Sequence, residues 1–257
     1  ENARMHHFEL EQQRMKQQLE AAHRIQQSFM PQSFPHAEND RYLIYGINIP
    51  ATAVGGDLFD CVQIDSDLLG MVIGDVSGKG VPAALFMARL ISDFRYFCHL
   101  TEKPVDLLYK LNSALLKRSQ QGMFVSLIYM VLNTRSGELT ISNAGHIPPL
   151  LFQSSKKQCQ MLDFFSGIPL GIMPEVDFEQ YVIQLNRGDT ILLLTDGVIE
   201  AKNHKKEMFT LNRLIQLVQK SNNHPQILIK DVVKQVQSFQ GAVSQHDDIT
   251  LLALGWQ

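Results

Sequence analysis

Cysteine is scarce in this 257-residue chain: Cys61, Cys98 and Cys159 are three in number and far apart. That spacing supplies neither a disulfide framework nor a cysteine zinc site, and it fits thiols kept reduced in a cytoplasm. The nine histidines form no HxxxH pattern, so a histidine-held metal has no support either. No apolar run approaches the roughly 20 residues needed to cross a bilayer, and the N-terminus carries no signal-like segment. An excess of one charge is lacking too. The formal net charge is -3 with Lys and Arg scattered, which gives no footing for nucleic acid or an anionic membrane surface. These absences leave an expected cytoplasmic chain with room for one large domain or two small ones around a substantial core. The chain opens on Glu1 and not Met, so an upstream segment is expected, which could anchor the full-length protein at a membrane.

Glycine, by contrast, is concentrated where it matters. Gly74-Asp75-Val76-Ser77-Gly78-Lys79-Gly80 follows the apolar run Leu68 to Ile73, which reads as a buried strand. It precedes a helix start at Val81-Pro82-Ala83-Ala84, with Pro82 in the first turn. Such a loop lets a ligand approach the main chain. Two familiar loops are excluded by spacing. A P-loop needs four residues between its first Gly and the Gly-Lys pair, then Ser or Thr; here there are three, then Gly80. A hydrolase nucleophile elbow needs Gly two residues to either side of Ser, and Ser77 has Asp75 on one side. Asp75, where the apolar run gives out, can hold a metal or cap the following helix.

Residues 1–30 lack Gly and internal Pro, and Pro31 ends the run. Steps of three and four select Met5, Phe8, Gln12, Met15, Leu19, Ala22, Gln26 and Phe29, a coiled-coil-like seam softened by two glutamines. It reads either as a helix packed on its own domain or as a dimeric linker to an upstream domain. After a loop from Pro31 to Asp40, strands are expected at Tyr42–Ile49, Leu58–Ile64, Leu68–Ile73, Phe124–Leu132, Glu138–Ser142, Pro149–Gln153, Glu179–Leu185, Thr190–Leu194 and Ile249–Leu254. Helices are expected at Val81–Phe97, Val105–Leu116, Leu211–Gln219 and Pro225–Phe239. Hairpins dominate, so the fold class is α+β, with mostly antiparallel sheets and helices outside.

The first hairpin fixes a geometry. Centring it on Ser66 pairs Ile64 with Leu68 and carries Asp57 opposite Asp75. Facing carboxylates repel by roughly 1 to 4 kcal/mol at about 4 Å, and are disfavoured across a ladder unless a cation or a shared proton compensates. Asp196 follows the strand Thr190–Leu194, and Asp247-Asp248 precede the strand Ile249–Leu254. Exits and entries of antiparallel neighbours share an edge, so Asp57, Asp75, Asp196 and Asp247 can meet there. Each alone is an ordinary turn or cap residue. Together, with only Lys79 near in sequence, they suit hard divalent cations, Mg2+ or Mn2+. Two such ions can lower the pKa of a bridging water and clamp a phosphoryl group, which points to direct hydrolysis of a phosphate ester.

With these residues in place, the chain from about Gln18 to Leu254 resembles the bacterial PPM, or PP2C-like, serine phosphatases of the SpoIIE/RsbU type. The matching stretches are Gly55-Gly56-Asp57-Leu58-Phe59-Asp60, Gly74 to Gly80, Asn143-Ala144-Gly145-His146, Pro169-Leu170-Gly171, Thr195-Asp196-Gly197-Val198-Ile199-Glu200-Ala201 and Asp247-Asp248-Ile249-Thr250. The resemblance implies a PP2C-like antiparallel β-sandwich flanked by helices over residues 31–257, behind a helical linker at 1–30. It implies two ions, Mn2+ or Mg2+, with Asp75 bridging and Asp196 and Asp247 on one. The Val76 carbonyl would serve the other, with Asp57 on or near it and Asp248 a neighbour. Asp57 and Asp75 are the implied catalytic pair. The Asn143–His146 motif is structural or catalytic. Metazoan-type relatives carry a His two residues after the bridging Asp; this chain has Ser77. The resemblance further implies a phosphoserine substrate on a STAS-domain anti-anti-sigma protein, partner switching, an upstream sensor or receiver domain, and a homodimer through the N-terminal helix. Helices Val81–Phe97 and Val105–Leu116 are the implied switch.

Two rivals remain. Gly55-Gly56-Asp57-Leu58-Phe59 is similar to the GGDEF signature of diguanylate cyclases, but Leu58 removes the acid and Asp196 and Asp247 would have no role. A catalytically weak or silent regulatory scaffold is the other, against which stand all four aspartates.

Overall fold

A computed structural model describes residues 2–35, 41–101, 103–117 and 122–257; the end of the expected Pro31–Asp40 loop lies outside them. The elements run α1 (Asn2–Phe29), β1 (Tyr42–Ile49), β2 (Leu58–Gln63), β3 (Leu68–Val76), α2 (Val81–Phe97), α3 (Pro104–Leu116), β4 (Val125–Asn133) and β5 (Glu138–Ala144). They continue through β6 (Leu150–Gln153), β7 (Gln158–Met161), β8 (Gln180–Gln184), β9 (Thr190–Leu194), α4 (Asp196–Ile199), α5 (Leu211–Lys220), α6 (Pro225–Gln240) and β10 (Ile249–Trp256). One sheet has the order β1-β10-β9-β6-β7 and the other β2-β3-β4-β5-β8. Every pairing of neighbouring strands is antiparallel. This is the helix-flanked antiparallel sandwich expected from the sequence.

Burial on both faces explains the nearly unbroken apolar strands. In β9, Ile191 and Leu193 face the core between the sheets, while Leu192 and Leu194 face the cluster built with Leu214, Val218, Leu228, Val232 and Val236 of α5 and α6. In the other sheet, Met87, Leu90, Ile91 and Phe94 of α2 and Leu107, Leu108 and Leu111 of α3 join the main core. Proline in the first turn opens α2, α3 and α6, where a missing N–H costs nothing. Among the described residues no helix is long and apolar enough to cross a membrane.

The Ser66 hairpin has the expected register. Asp65 Oδ1 accepts from the amides of Asp67 and Leu68, both at 2.8 Å, and the Ile64 amide donates to the Leu68 carbonyl at 2.9 Å. The ladder then runs from Gln63↔Leu69 to Leu58↔Gly74, which leaves Asp57 and Asp75 as the next pair outward. One expectation is corrected: β3 does not end at Ile73 but continues through Val76, because Asp75 and Val76 pair with Ser126 and Val125 of β4. Asp75 is therefore a strand residue.

The N-terminal helix has two regimes. Met5 and Phe8 are each 60% exposed and Met15 58% exposed, whereas Met30, just past its end, lies in the core. Its last turns are tied to the body by polar bonds. Gln26 Nε2 donates to the Gly55 carbonyl at 2.6 Å, and the Gly55 amide donates to Gln26 Oε1 at 3.1 Å. Arg95 of α2 donates to the Phe29 carbonyl and to Asp60, both at 2.6 Å.

Candidate metal centre

The sequence expectation placed four aspartates on one sheet edge; the structure corrects this. Asp57 and Asp75 belong to the sheet of β2 and β3, while Asp196 and Asp247 end β9 and lead into β10 of the other. They meet because both sheets turn the same end of the sandwich toward them. Asp75, Asp247 and Asp248 line one small cavity there with Gly55, Gly56 and Lys79.

Asp57 is buried, and one of its oxygens accepts two hydroxyls: Thr250 Oγ1 at 2.6 Å and Thr195 Oγ1 at 2.7 Å. The two threonines are themselves joined, since the Thr250 amide donates to Thr195 Oγ1 at 3.0 Å. Asn48 of β1 donates to Thr250 Oγ1 at 2.8 Å, and Gln27 of α1 donates to Asn48 at 3.3 Å. A polar thread thus leads from α1 to Asp57. Sequence reasoning assigned neither threonine. The available signal was a hydroxyl within two residues of an aspartate at the end of each apolar strand, Thr195 before Asp196 and Thr250 after Asp248.

Electrostatics report the crowding. Burial, then the charge of Asp75, push the Asp57 carboxyl well above its usual range, against the two threonine bonds. Asp75 is pushed up to about 7 by burial first and by Asp196 next, with Asp247 and Asp248 adding and a hydrogen bond from Asp57 opposing. Burial and Asp247 raise Asp196 as well. A cation would relieve all three.

Asp248 is a structural neighbour. Its Oδ1 accepts from the Ala51 amide at 2.8 Å and its Oδ2 from the Gly56 amide at 3.1 Å, which pins the loop before Asp57. A side chain at Gly55 would start 1.7 Å from Asp248 Oδ2, and one at Gly56 would start 2.6 Å from the Val76 carbonyl oxygen. Gly55 makes room for the Asp248 carboxylate, and Gly56 keeps the Val76 carbonyl uncovered, a cradle that a Cβ would fill.

His146 and Ser77 are both engaged in hydrogen bonds within the fold. His146 accepts at Nδ1 from Ser126 Oγ, 2.7 Å away, and donates from Nε2 to the Leu194 carbonyl at 3.1 Å, so it spans from β4 of one sheet to β9 of the other. Burial lowers its pKa to about 4, which keeps the imidazole neutral. Asn143 closes the same turn through Nδ2 to the His146 carbonyl, 2.9 Å, and Oδ1 from the His146 amide, 2.8 Å. The Ser77 hydroxyl accepts from the Phe124 amide at 3.0 Å and its amide donates to the Phe124 carbonyl at 2.9 Å, which extends the pairing of β3 and β4.

Among the described residues no three carboxylate, imidazole or thiol groups stand as a ready ligand set. Asp57 is turned to its threonines and Asp247 to Lys79, 2.9 Å away. The donor chemistry nonetheless fits a hard cation: repelling carboxylates, an uncovered carbonyl and no competing soft ligand.

Comparison with known proteins agrees with this construction. The family described as Stage II sporulation protein E (SpoIIE) matches residues 65–257. The phosphoserine phosphatase RsbU of Bacillus subtilis is 31% identical over 247 residues, covering 95% of this chain and 71% of that protein. Protein IcfG of Synechocystis is 29% identical over 266 residues, 92% of this chain but only 41% of IcfG. Among solved structures, the SiaA-PP2C domain of Pseudomonas aeruginosa superposes with a TM-score of 0.80 at 20% identity, covering 96% of this chain and 98% of that one. That likeness establishes the fold. From the matched motifs, the shared identity and the helix-flanked sandwich, this chain belongs to the SpoIIE family of PP2C-like phosphatases of the RsbU type.

Proposed function

We propose that this chain is the catalytic part of a divalent-metal-dependent protein-serine phosphatase. The observation that carries the reading is the convergence of Asp57, Asp75, Asp196 and Asp247 on one end of the sandwich, where burial and neighbouring charge hold the carboxyls of Asp57, Asp75 and Asp196 above their usual range. Asp75 would bridge two ions, Mn2+ or Mg2+, with Asp196 and Asp247 on one and the Val76 carbonyl on the other, and Asp57 on or near the latter. When bound, such ions supply a water of lowered pKa and neutralise charge on a phosphoryl group. The chain's own part is placement. Thr195 and Thr250 fix one Asp57 oxygen, Asp248 fixes the loop that carries Asp57, and His146 sets the spacing of the two sheets. No covalent nucleophile is required, and Ser77, engaged with Phe124, is not one.

The substrate class is a phosphoserine protein, a STAS-domain-like regulator in a partner-switching pathway, as the kinship with RsbU supports. Residues 1–30 act as a linker from a sensor or receiver domain and as a dimer contact; the exposed Met5, Phe8 and Met15 support this. The defining assay is phosphate release from p-nitrophenyl phosphate and from a phosphoserine STAS-domain protein, with and without Mn2+ or Mg2+. Metal-dependent release is expected. If the ions bind and neither substrate is turned over, the silent scaffold is the correct reading. Deleting residues 1–20 should lower the dimer fraction in analytical ultracentrifugation, and an unchanged distribution would remove the dimer from this account.

A further inference from the structure

We propose that the Lys79 ammonium receives a phosphoryl oxygen of the substrate, and that Asp247 holds it in reserve until a metal claims that carboxylate. The inference rests on the phosphatase reading and names one group that serves it. A phosphate monoester approaching Asp57, Asp75, Asp196, Asp247 and Asp248 meets charges of its own sign. Among the described residues, the ammonium or guanidinium in an ion pair with a member of this cluster is that of Lys79. Its Nζ stands 2.9 Å from Asp247 Oδ2 and 2.9 Å from the His246 carbonyl oxygen. It lines the same small cavity as Asp75, Gly55 and Gly56.

The pair is built to exchange. The Lys79 and Asp247 side chains are 55% and 43% exposed, and ion pairs so open to water are weakly held. Lys79 lies between Gly78 at φ 95° and Gly80 at φ 75°, and an added Cβ at either would meet nothing within 4 Å. The backbone on either side of Lys79 is therefore uncrowded. A lysine ammonium has three donors and no acceptor, so parting from Asp247 frees a charged donor beside the His246 carbonyl bond, and a phosphoryl oxygen is a strong acceptor for it.

The arrangement makes a paired prediction of opposite signs. Lys79 competes with a divalent cation for Asp247, yet it cooperates with phosphate. In Lys79→Met, calorimetric binding of Mn2+ to the substrate-free protein should tighten by about two- to fivefold. Binding of inorganic phosphate to the Mn2+-loaded protein should weaken by at least about fivefold, as expected for a lost charged hydrogen bond. The KM for p-nitrophenyl phosphate should rise more than kcat falls. Lys79→Arg should restore phosphate binding. If Lys79→Met binds Mn2+ and turns over substrate with phosphate affinity and KM within about twofold of the unaltered chain, the inference is overturned and the phosphatase reading stands. Weaker Mn2+ binding in Lys79→Met would overturn the exchange with Asp247. Absence of both metal binding and turnover in the unaltered chain would overturn the phosphatase reading and this inference with it.

Discussion

Asp75→Asn is expected to lower metal-dependent turnover by more than about a hundredfold, beyond the 10- to 100-fold typical of residues behind a ligand, while raising the melting temperature of the metal-free protein. Both effects have one origin. Asp75 is half-buried, faces Asp57 across the hairpin and feels Asp196, and partial burial with that charge pushes its carboxyl up to about 7. A folded-state pKa above the unfolded one means that the folded chain binds more protons between pH values of about 4 and 7. Stability from this group therefore falls as pH rises through that window. Asparagine removes the penalty, worth several degrees at the roughly 2 to 4 °C per kcal/mol of a domain this size. The unaltered protein should show a Mn2+-induced rise in melting temperature that grows from about pH 5.5 to about pH 8, because ligands must lose their protons. In Asp75→Asn that rise should be small and flat. His146, neutral above about 4, contributes alike with and without metal and drops out of the difference. Turnover at the unaltered rate in Asp75→Asn would refute the assignment of the bridging role.

Gly56→Ala should damage the same centre through the backbone. The new Cβ would start 2.6 Å from the Val76 carbonyl oxygen, 3.4 Å from Val76 Cβ and 3.5 Å from Ala83 Cβ. The first contact is with main chain, so no rotamer relieves it. The end of β3 must move, at a cost of about 1 to 3 kcal/mol for an overpacked site. Mn2+ affinity and turnover should fall together by about tenfold or more, with the far-UV spectrum retained. A folded Gly56→Ala that binds Mn2+ normally would show that the Val76 carbonyl is not needed.

The meeting of Asp57 with Asp75 was legible because a tight turn fixes register. Asp65 closes the turn through its own side chain, and every pair back to Leu58 and Gly74 follows from that closure. The apolar strands and proline-opened helices were legible for a similar reason: each is specified within its own length. What was not legible depends on contacts between distant segments. Nothing local says that β9 and β10 belong to a different sheet from β2 and β3. The strand β7 escaped notice because Gln158–Met161 has one buried residue, Cys159, and owes its form to pairing with β6. The four-residue α4 is too short to leave a period. Thr195 and Thr250 acquire their role only when Asp57 arrives between them. The motif of His146 left its role open between structure and chemistry, and its bond to Leu194, 48 residues away, could not be read from the sequence.

The docking of α1 has a mechanical consequence. Its exposed stretch ahead of Leu19 is a rod about 25 Å long at 1.5 Å per residue, and the inner end is clasped by Gln26 to both backbone groups of Gly55. A turn by one residue is about 100° and swings the Gln26 amide wholly off Gly55. With Gln27 on Asn48 and Arg95 on the Phe29 carbonyl, the inner end of the rod is held at several points, so a turn of the rod is carried to the loop that bears Asp57.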